Sequence, residues 1–400
     1  MVTAFTCFCV AHCVPLLKAD EIQIISNGSF FMLTSDELIS TARRYKRWMK
    51  LNYRLRYSMR PAVLNHLSKN EFESARLLMI ENSHDMICFF DQIPKSYLEK
   101  ILNEPNYTEY ALNKKKGGQR KIQIPEPVLK RMQKKINAAL QAYYLLIGYE
   151  NSFGFVKKTS HAAFTSGIAT NASKHIGQQV VLNLDLKDFF ESVSAARIFT
   201  LFKSPLFKFN EDIAAALALL CTWQKRLPTG APTSPILSNF ICLELDQNLH
   251  EFSLKNKLNY SRYADDLTFS TNERITEEMK IELKEIICRN QFEINAKKWR
   301  IRTQNQKQLV TGLVVNEKVN VDRKFIRKIR AMIHDLKLNG LENATGNHFR
   351  KSTKNNHELQ FRFINKLHGY IDFIGQVRGR EDTIYKKFKW ELVPFGMADS

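Results

Sequence analysis

The sequence predicts an α+β fold in which blocks of helix alternate with antiparallel strands, and three observations predict it. The apolar, β-branched run Val180-Val181-Leu182-Asn183-Leu184-Asp185 reads as a central strand. Tyr260 to Ser270 places aromatic residues on both sides of a small-acidic-acidic centre, Ala264-Asp265-Asp266, and reads as a β-hairpin. Between such stretches lie apolar residues at helical spacing, as at Leu129, Met132, Ile136, Leu140 and Tyr143.

In chain order, Met1 to Leu17 is apolar, but no basic residue precedes it and no small-x-small cleavage site stands out. A signal peptide is not expected. Residues 1–45 read as an N-terminal extension, with Met32 and Met49 as alternative starts. Cys7, Cys9, His12 and Cys13 match no common zinc spacing. Thr34 to Glu37 has the form of a capping box. The stretch Arg43-Arg44-Tyr45-Lys46-Arg47-Trp48 interleaves cations with rings, which suits phosphates and unstacked bases and equally suits a solvated helix face.

Residues 62–110 read as short helices broken at Pro94 and at 103–106. In Lys114 to Pro125, Gly117-Gly118 sits between basic residues and makes a hairpin turn. Its strands would bring Lys114, Arg120 and Lys121 to a common tip able to grip a triphosphate. A helix is expected over 126–148, then the strand ending in Asp185. A buried strand with an acid at its mouth needs a reason for that charge, and metal ligation supplies one.

Helices are expected over 194–225, followed by the Pro- and Gly-dense loop Arg226 to Pro235. Within it, Gly230 permits close approach by a ligand, and Ser234-Pro235 reads as N-cap and first helical position. After the acidic hairpin come an amphipathic helix over 276–290 and a strand over Phe292 to Lys298. A further strand over Gln308 to Asn316 has Gly312 inside it. Beyond 320 the chain reads as helical and basic, with Arg323, Lys324, Arg327, Lys328 and Arg330 on one helix.

Sixty Lys and Arg against forty Asp and Glu give a formal charge of +20, which points to a polyanionic partner, nucleic acid first and anionic membrane second. No apolar run reaches the roughly 18 residues of a membrane span, so no membrane partner is expected. Seven scattered cysteines fit a reducing cytoplasm.

An adjacent Asp pair is, taken alone, most often an exposed acidic turn. In a packed hairpin, however, two carboxylates repel unless a positive group neutralises them, and a hard divalent cation is the usual answer. Together the stretches resemble a reverse transcriptase, and more narrowly the bacterial retron type. The resemblance rests on the basic hairpin, Asp185, Leu227-Pro228-Thr229-Gly230-Ala231-Pro232-Thr233-Ser234-Pro235, Tyr263-Ala264-Asp265-Asp266 and the lysines at 297–298, in that order. Asn171-Ala172-Ser173-Lys174-His175 and Val310-Thr311-Gly312 match the retron-type elements in place. Thr229 departs from the glutamine usual in reverse transcriptases, and Trp299 follows Lys298 where threonine is common.

The resemblance implies a right-hand polymerase of fingers, palm and thumb, the palm an antiparallel ferredoxin-like sheet backed by helices. It places fingers at 46–180, palm at 181–316, and a helical basic thumb with a short tail at 317–400. It implies two Mg²⁺ ions, with Mn²⁺ as a substitute, held by Asp185, Leu186, Asp265 and Asp266, and Lys298 as a general acid toward pyrophosphate. Lys114, Arg120 and Lys121 would clamp the triphosphate, Phe190 would exclude a ribose 2′-hydroxyl, and Thr229 and Gly230 would face the nucleotide. Asn171, His175, Gly312, Arg323, Arg327 and Lys328 would contact RNA.

The implied partners are deoxynucleoside triphosphates, a structured noncoding RNA template-primer, its branched multicopy single-stranded DNA (msDNA) product and a separately encoded effector of an antiphage system. The alternatives are a group II intron-like or diversity-generating reverse transcriptase and, outside enzymes, an RNA-binding scaffold of a defence complex. An intact set of Asp185, Asp265 and Asp266 speaks against the scaffold.

Overall fold

A computed structural model describes residues 40, 68–91, 93–113, 117–147, 151–156, 167–349 and 357–395. The capping box at 34–37, the basic-aromatic stretch at 43–48, the cysteines before 14 and Lys114 all lie outside the described residues.

Helices α1 (Lys69–Leu78), α2 (Ser83–Phe89) and α3 (Lys95–Asn103) precede a hairpin of β1 (Tyr107–Asn113) and β2 (Gln119–Pro125), then the long α4 (Pro127–Ile147). A short α5 (Ile168–Ser173) leads into β3 (Val180–Asp185). Four helices follow, α6 (Ala195–Lys203), α7 (Glu211–Cys221), α8 (Ser234–Ile241) and α9 (Leu243–Lys255). Next come the hairpin β4 (Asn259–Tyr263) and β5 (Asp266–Thr271), helix α10 (Glu277–Arg289), and β6 (Arg300–Thr303). The two-residue strands β7 (Leu309–Val310) and β8 (Leu313–Val314) form a small ribbon, and α11 (Arg323–Phe349), α12 (His357–Arg378) and α13 (Thr383–Leu392) close the chain.

Local chemistry accounts for several of these boundaries. Ser68 and Glu71 open α1 with a reciprocal capping box. Thr276 caps α10, whose first turn is acidic and whose last carries Arg289, as the helix dipole favours. Helix α8 begins one residue earlier than its sequence suggests. Thr233 is the cap, and the Ser234 hydroxyl donates instead to the Pro228 carbonyl at 2.7 Å.

The described residues fall into two compact units that interleave along the chain. The first gathers the segments up to Glu150, from Phe155, and Asp188–Leu245. Its core is rich in aromatic pairs, with Tyr143 and Phe202 each 5.3 Å from Phe207 in edge-to-face contact. The second gathers Asn151–Gly154, the segment ending at Lys187, and the residues from Asp246 onward. It contains a four-stranded antiparallel sheet of order β4-β5-β3-β6. Its C-terminal helices pack around Ile329, Met332, Phe363, Leu367, Ile371 and Phe388. Each such burial contributes roughly 1.5–3 kcal/mol.

Two strands differ from expectation. Phe292 to Lys298 makes only a single bridge, Ile294 to Leu186, before a 3₁₀ turn over Ala296–Lys298. The bonds of that bridge run from the Asn295 N–H to the Asp185 carbonyl and from the Lys187 N–H to the Glu293 carbonyl, both 2.8 Å; the Lys298 N–H then closes the turn on the Asn295 carbonyl, and the added edge strand is β6. Gly312 does not sit within a strand. With Thr311 at φ +48° and Gly312 at +84°, the pair forms the two-residue turn between β7 and β8. Among the described residues no helix is long and apolar enough to cross a membrane.

Candidate active site

β3 buries Val181, Leu182 and Leu184 and ends on Asp185, itself only 5% exposed. Such a strand is held by apolar packing on both flanks, so its last residue projects a charge from a fixed base. β5 runs antiparallel beside it in the register Leu184 to Leu267 and Asp185 to Asp266. Two carboxylates therefore face each other across neighbouring strands, and Asp265 occupies the turn next to them.

That turn consists of Ala264 and Asp265, between the paired residues Tyr263 and Asp266. Ala264 adopts φ +59°, a left-handed conformation costing about 1–2 kcal/mol for a residue with a Cβ. Several contacts hold it there. The Leu186 N–H donates to the Asp265 carbonyl at 2.9 Å, joining the turn to the end of β3. Arg262 Nη1 donates to the Ala264 carbonyl at 3.2 Å. Gly154 lies so close that a Cβ on it would fall 2.5 Å from the Ala264 nitrogen.

Arg262 is fully buried, and Asp246 on α9 answers its charge. Nε and Nη2 donate to the two Asp246 oxygens at 2.7 and 2.5 Å, Tyr260 donates its hydroxyl to the same carboxylate at 2.6 Å, and Nη2 also reaches Ser152 Oγ at 3.1 Å. Neither Arg262 nor Asp246 was singled out from the sequence. The signal available was a charge at an inward strand position and an acid inside the apolar spacing of Leu245 and Leu249.

The acids differ in environment. Asp266 reaches solvent, yet desolvation on its inner side, followed by Asp265 and Asp185, pushes its carboxyl up to about 6 against the opposing pull of Lys298 and Arg300. Lys298 Nζ donates to Asp185 Oδ1 at 2.5 Å. Among the described residues no three acidic, His or Cys side chains already stand as a closed metal-ligand set. The donors nevertheless suit a hard cation. They are all oxygen, Asp185 and Asp266 are register partners at two adjacent strand ends, and burial followed by repulsion from Asp265 and Asp185 disfavours charge on Asp266 even with Lys298 present. Leu186 could add only its main-chain carbonyl, since its side chain is apolar and buried.

The first unit holds other expected residues. Arg120 and Lys121 are exposed on β2, opposite Leu112 and Ala111. Adjacent strand residues project to opposite faces, so these two do not form a single two-pronged clamp. Phe190 is half-buried, 5.4 Å from Phe189 and 5.8 Å from Phe155, while Phe189 is buried. Of the pair, Phe190 has the accessible ring. Gly230 does make a close approach, but to protein: a Cβ there would fall 2.3 Å from the Gln123 carbonyl.

The residues expected on RNA divide. Arg323, Arg327 and Lys328 are exposed on α11, with Lys328 5.1 Å over the Tyr370 ring, and Gly312 is an exposed turn. Asn171 and His175 are buried, at 1% and 0% exposure, so they cannot touch RNA directly. His175 instead bridges the acidic hairpin, its Nδ1 2.7 Å from Ser270 Oγ and its Nε2 2.7 Å from Ser261 Oγ. Burial, with a smaller push from Lys174, lowers its pKa to about 3, so the ring is neutral.

The family described as Reverse transcriptase (RNA-dependent DNA polymerase) matches residues 112–320. The retron Mx65 reverse transcriptase of Myxococcus xanthus is 34% identical over 248 residues, covering 57% of this chain and 56% of its own. The retron Ec86 reverse transcriptase of Escherichia coli is 38% identical over 187 residues, covering 46% and 56%. The retron Ec73 reverse transcriptase of the same species is 30% identical over 240 residues, covering 55% and 72%. The chain spans a little over half the length of the first two relatives. With more than half of its residues matched by that family and these retron proteins as relatives, the chain belongs to the reverse transcriptases, on the retron branch.

Proposed function

We propose that the chain is an RNA-directed DNA polymerase that copies part of a cognate structured noncoding RNA into branched msDNA, within an antiphage retron system with a separate effector. The observation that carries the reading is the register of Asp185 against Asp266, with Asp265 in the turn beside them. Carboxylates converging from separate strands are what two-metal nucleotidyl transfer requires. In the same reading residues 46–180 are the fingers, 181–316, with the four-stranded sheet, the palm, and 317–400, with α11 to α13, the thumb.

Two Mg²⁺ ions, with Mn²⁺ as a substitute, would supply activation of the primer hydroxyl and neutralisation of the departing pyrophosphate. The protein's residues do the rest. Asp185 and Asp265 would hold the ions, with Asp266 more peripheral and the Leu186 carbonyl as an added oxygen. Lys298, which donates to Asp185 in this structure, would protonate the departing pyrophosphate. Lys114 and one of the two β2 cations, Arg120 or Lys121, would meet the triphosphate, Phe190 the sugar, and Thr229 and Gly230 the nascent pair. Arg323, Arg327 and Lys328 would grip RNA phosphates, an interaction that weakens steeply with salt.

The test is to extract nucleic acid from cells carrying the gene with its flanking DNA. A short multicopy single-stranded DNA whose mobility shifts on RNase or debranching treatment is expected. Its absence, with the protein expressed, would overturn the msDNA reading.

A further inference from the structure

The hairpin that carries Arg120 and Lys121 and the loop that carries Thr229 and Gly230 are far apart in sequence, and one side chain ties them together. Among the described residues, β1 and β2 pair with no other strand, and β1 is exposed along nearly all its length. A lone two-stranded hairpin is marginal in water, so what fixes it must come from outside its own ladder. At the base, Tyr107 packs 5.3 Å from Trp223, ring to ring, and its hydroxyl accepts from Gln133 Nε2 at 2.7 Å.

Nearer the tip, Gln123 is 8% exposed and uses both ends of its amide. Oε1 accepts the main-chain N–H of Thr229 at 2.8 Å. Nε2 donates to Oε1 of Glu109, its cross-strand partner, at 3.4 Å. Beside it the loop backbone lies directly on the strand: a Cβ at Gly230 would fall 2.3 Å from the Gln123 carbonyl oxygen and 2.9 Å from Ile122 Cγ2. The loop is itself closed by the Ser234 hydroxyl on the Pro228 carbonyl.

We infer that Gln123 is a positioning residue that latches the hairpin to the Thr229–Gly230 loop, fixing the β2 cations and the loop backbone in one arrangement for an incoming deoxynucleoside triphosphate. The inference rests on the polymerase reading and deepens it. Only an amide satisfies both neighbours. A carboxylate would accept from Thr229 but face Glu109 with like charge, and an apolar side chain would leave both groups unpaired. Arg120 lies three residues from Gln123, roughly 10 Å along the strand, so slack at the latch is passed toward the tip.

The experiment compares wild type, Gln123→Ala, Gln123→Glu and the exchange variant Gln123→Glu with Glu109→Gln. Hydrogen exchange of the segments 107–125 and 226–233 reads the latch whether or not the protein polymerises. Primer extension on an RNA template gives KM and kcat for deoxynucleotides, and RNA affinity and melting temperature are measured alongside.

Gln123→Ala and Gln123→Glu should speed exchange in both segments and raise the nucleotide KM about tenfold, with kcat within about threefold and RNA affinity unchanged. The exchange variant should bring both readouts back toward wild type, because amide and carboxylate merely trade places. Unchanged hydrogen exchange would overturn the latch. Faster exchange with an unmoved KM, or an equal loss of KM, RNA affinity and thermal stability, would overturn the positioning role. A wild-type protein that extends no primer would overturn the polymerase reading and the nucleotide role with it, while the exchange data still decide whether Gln123 joins hairpin to loop.

Discussion

Arg262 and Asp246 form a two-pronged ion pair at 2.7 and 2.5 Å with no exposure on either side chain, and Arg262 also holds the carbonyl of Ala264 in the acidic turn. A charge pair taken wholly out of water is costly unless its geometry is good and its remaining hydrogen bonds are met. Tyr260 and Ser152 meet two of them.

Removing one member strands the other. Arg262→Ala or Asp246→Ala should each lower unfolding free energy by about 3–5 kcal/mol, read by denaturant titration. Arg262→Met with Asp246→Leu should recover much of that stability. Polymerase activity should stay low in the double variant, because Ala264 has still lost the donor that holds its left-handed conformation.

Burial, and after it repulsion from Asp265 and Asp185, disfavours the charged form of Asp266. Its folded carboxyl titrates at about 6 against 3.8 for the free group. The penalty is absent below the unfolded value, grows as pH rises through the window between the two, and is full above about 6. Asp266→Asn should therefore raise the melting temperature of metal-free protein at pH 8 more than at pH 5. Added Mg²⁺ should stabilise wild type more than the variant.

His175 is buried neutral between two serine hydroxyls, and its depressed pKa makes stability depend on pH in the opposite sense. Its contribution is present above the unfolded value of 6.5 and is progressively lost as pH falls from there toward 3. His175→Gln should flatten the loss of stability between pH 7 and 5. His175→Ala should cost roughly 2–4 kcal/mol through the cavity and the two unpaired hydroxyls. RNA affinity of the folded variants, measured by filter binding, should match wild type.

Phe190 has the accessible ring of the Phe189–Phe190 pair. Phe190→Ala should let ribonucleotides be incorporated, raising their kcat/KM relative to deoxynucleotides by about tenfold or more, while Phe189→Ala should chiefly reduce stability. Unaltered sugar discrimination in Phe190→Ala would remove it from the nucleotide site.

Much of this was legible from local pattern. β3 announces itself by apolar β-branched residues and an acid at its end, and the β4–β5 hairpin by aromatic strands around a small-acidic turn. Helices α4 and α10 follow their apolar spacing to within a residue or so. Local pattern did not reveal what depends on long-range hydrogen bonds. His175 and Asn171 carry polar groups that suit RNA as well as a core, and only the fold buries them. Gln123 and Arg262 owe their roles to partners distant in sequence. Phe292 to Lys298 alternates like a strand, but after one bridge the Lys298 N–H turns back to the Asn295 carbonyl and the chain enters a 3₁₀ turn. Gly312 is a turn because Thr311 beside it is also left-handed, which no propensity of threonine suggests.

The most direct measurement is primer extension on an RNA template by purified wild-type and Asp265→Asn protein, with deoxynucleotides and Mg²⁺. Wild type should extend the primer. Asp265→Asn should lose at least about a thousandfold in rate, some 4 kcal/mol of transition-state stabilisation, while retaining RNA affinity and its melting transition. Extension by Asp265→Asn at a rate near wild type would contradict the assignment of these carboxylates to nucleotidyl transfer.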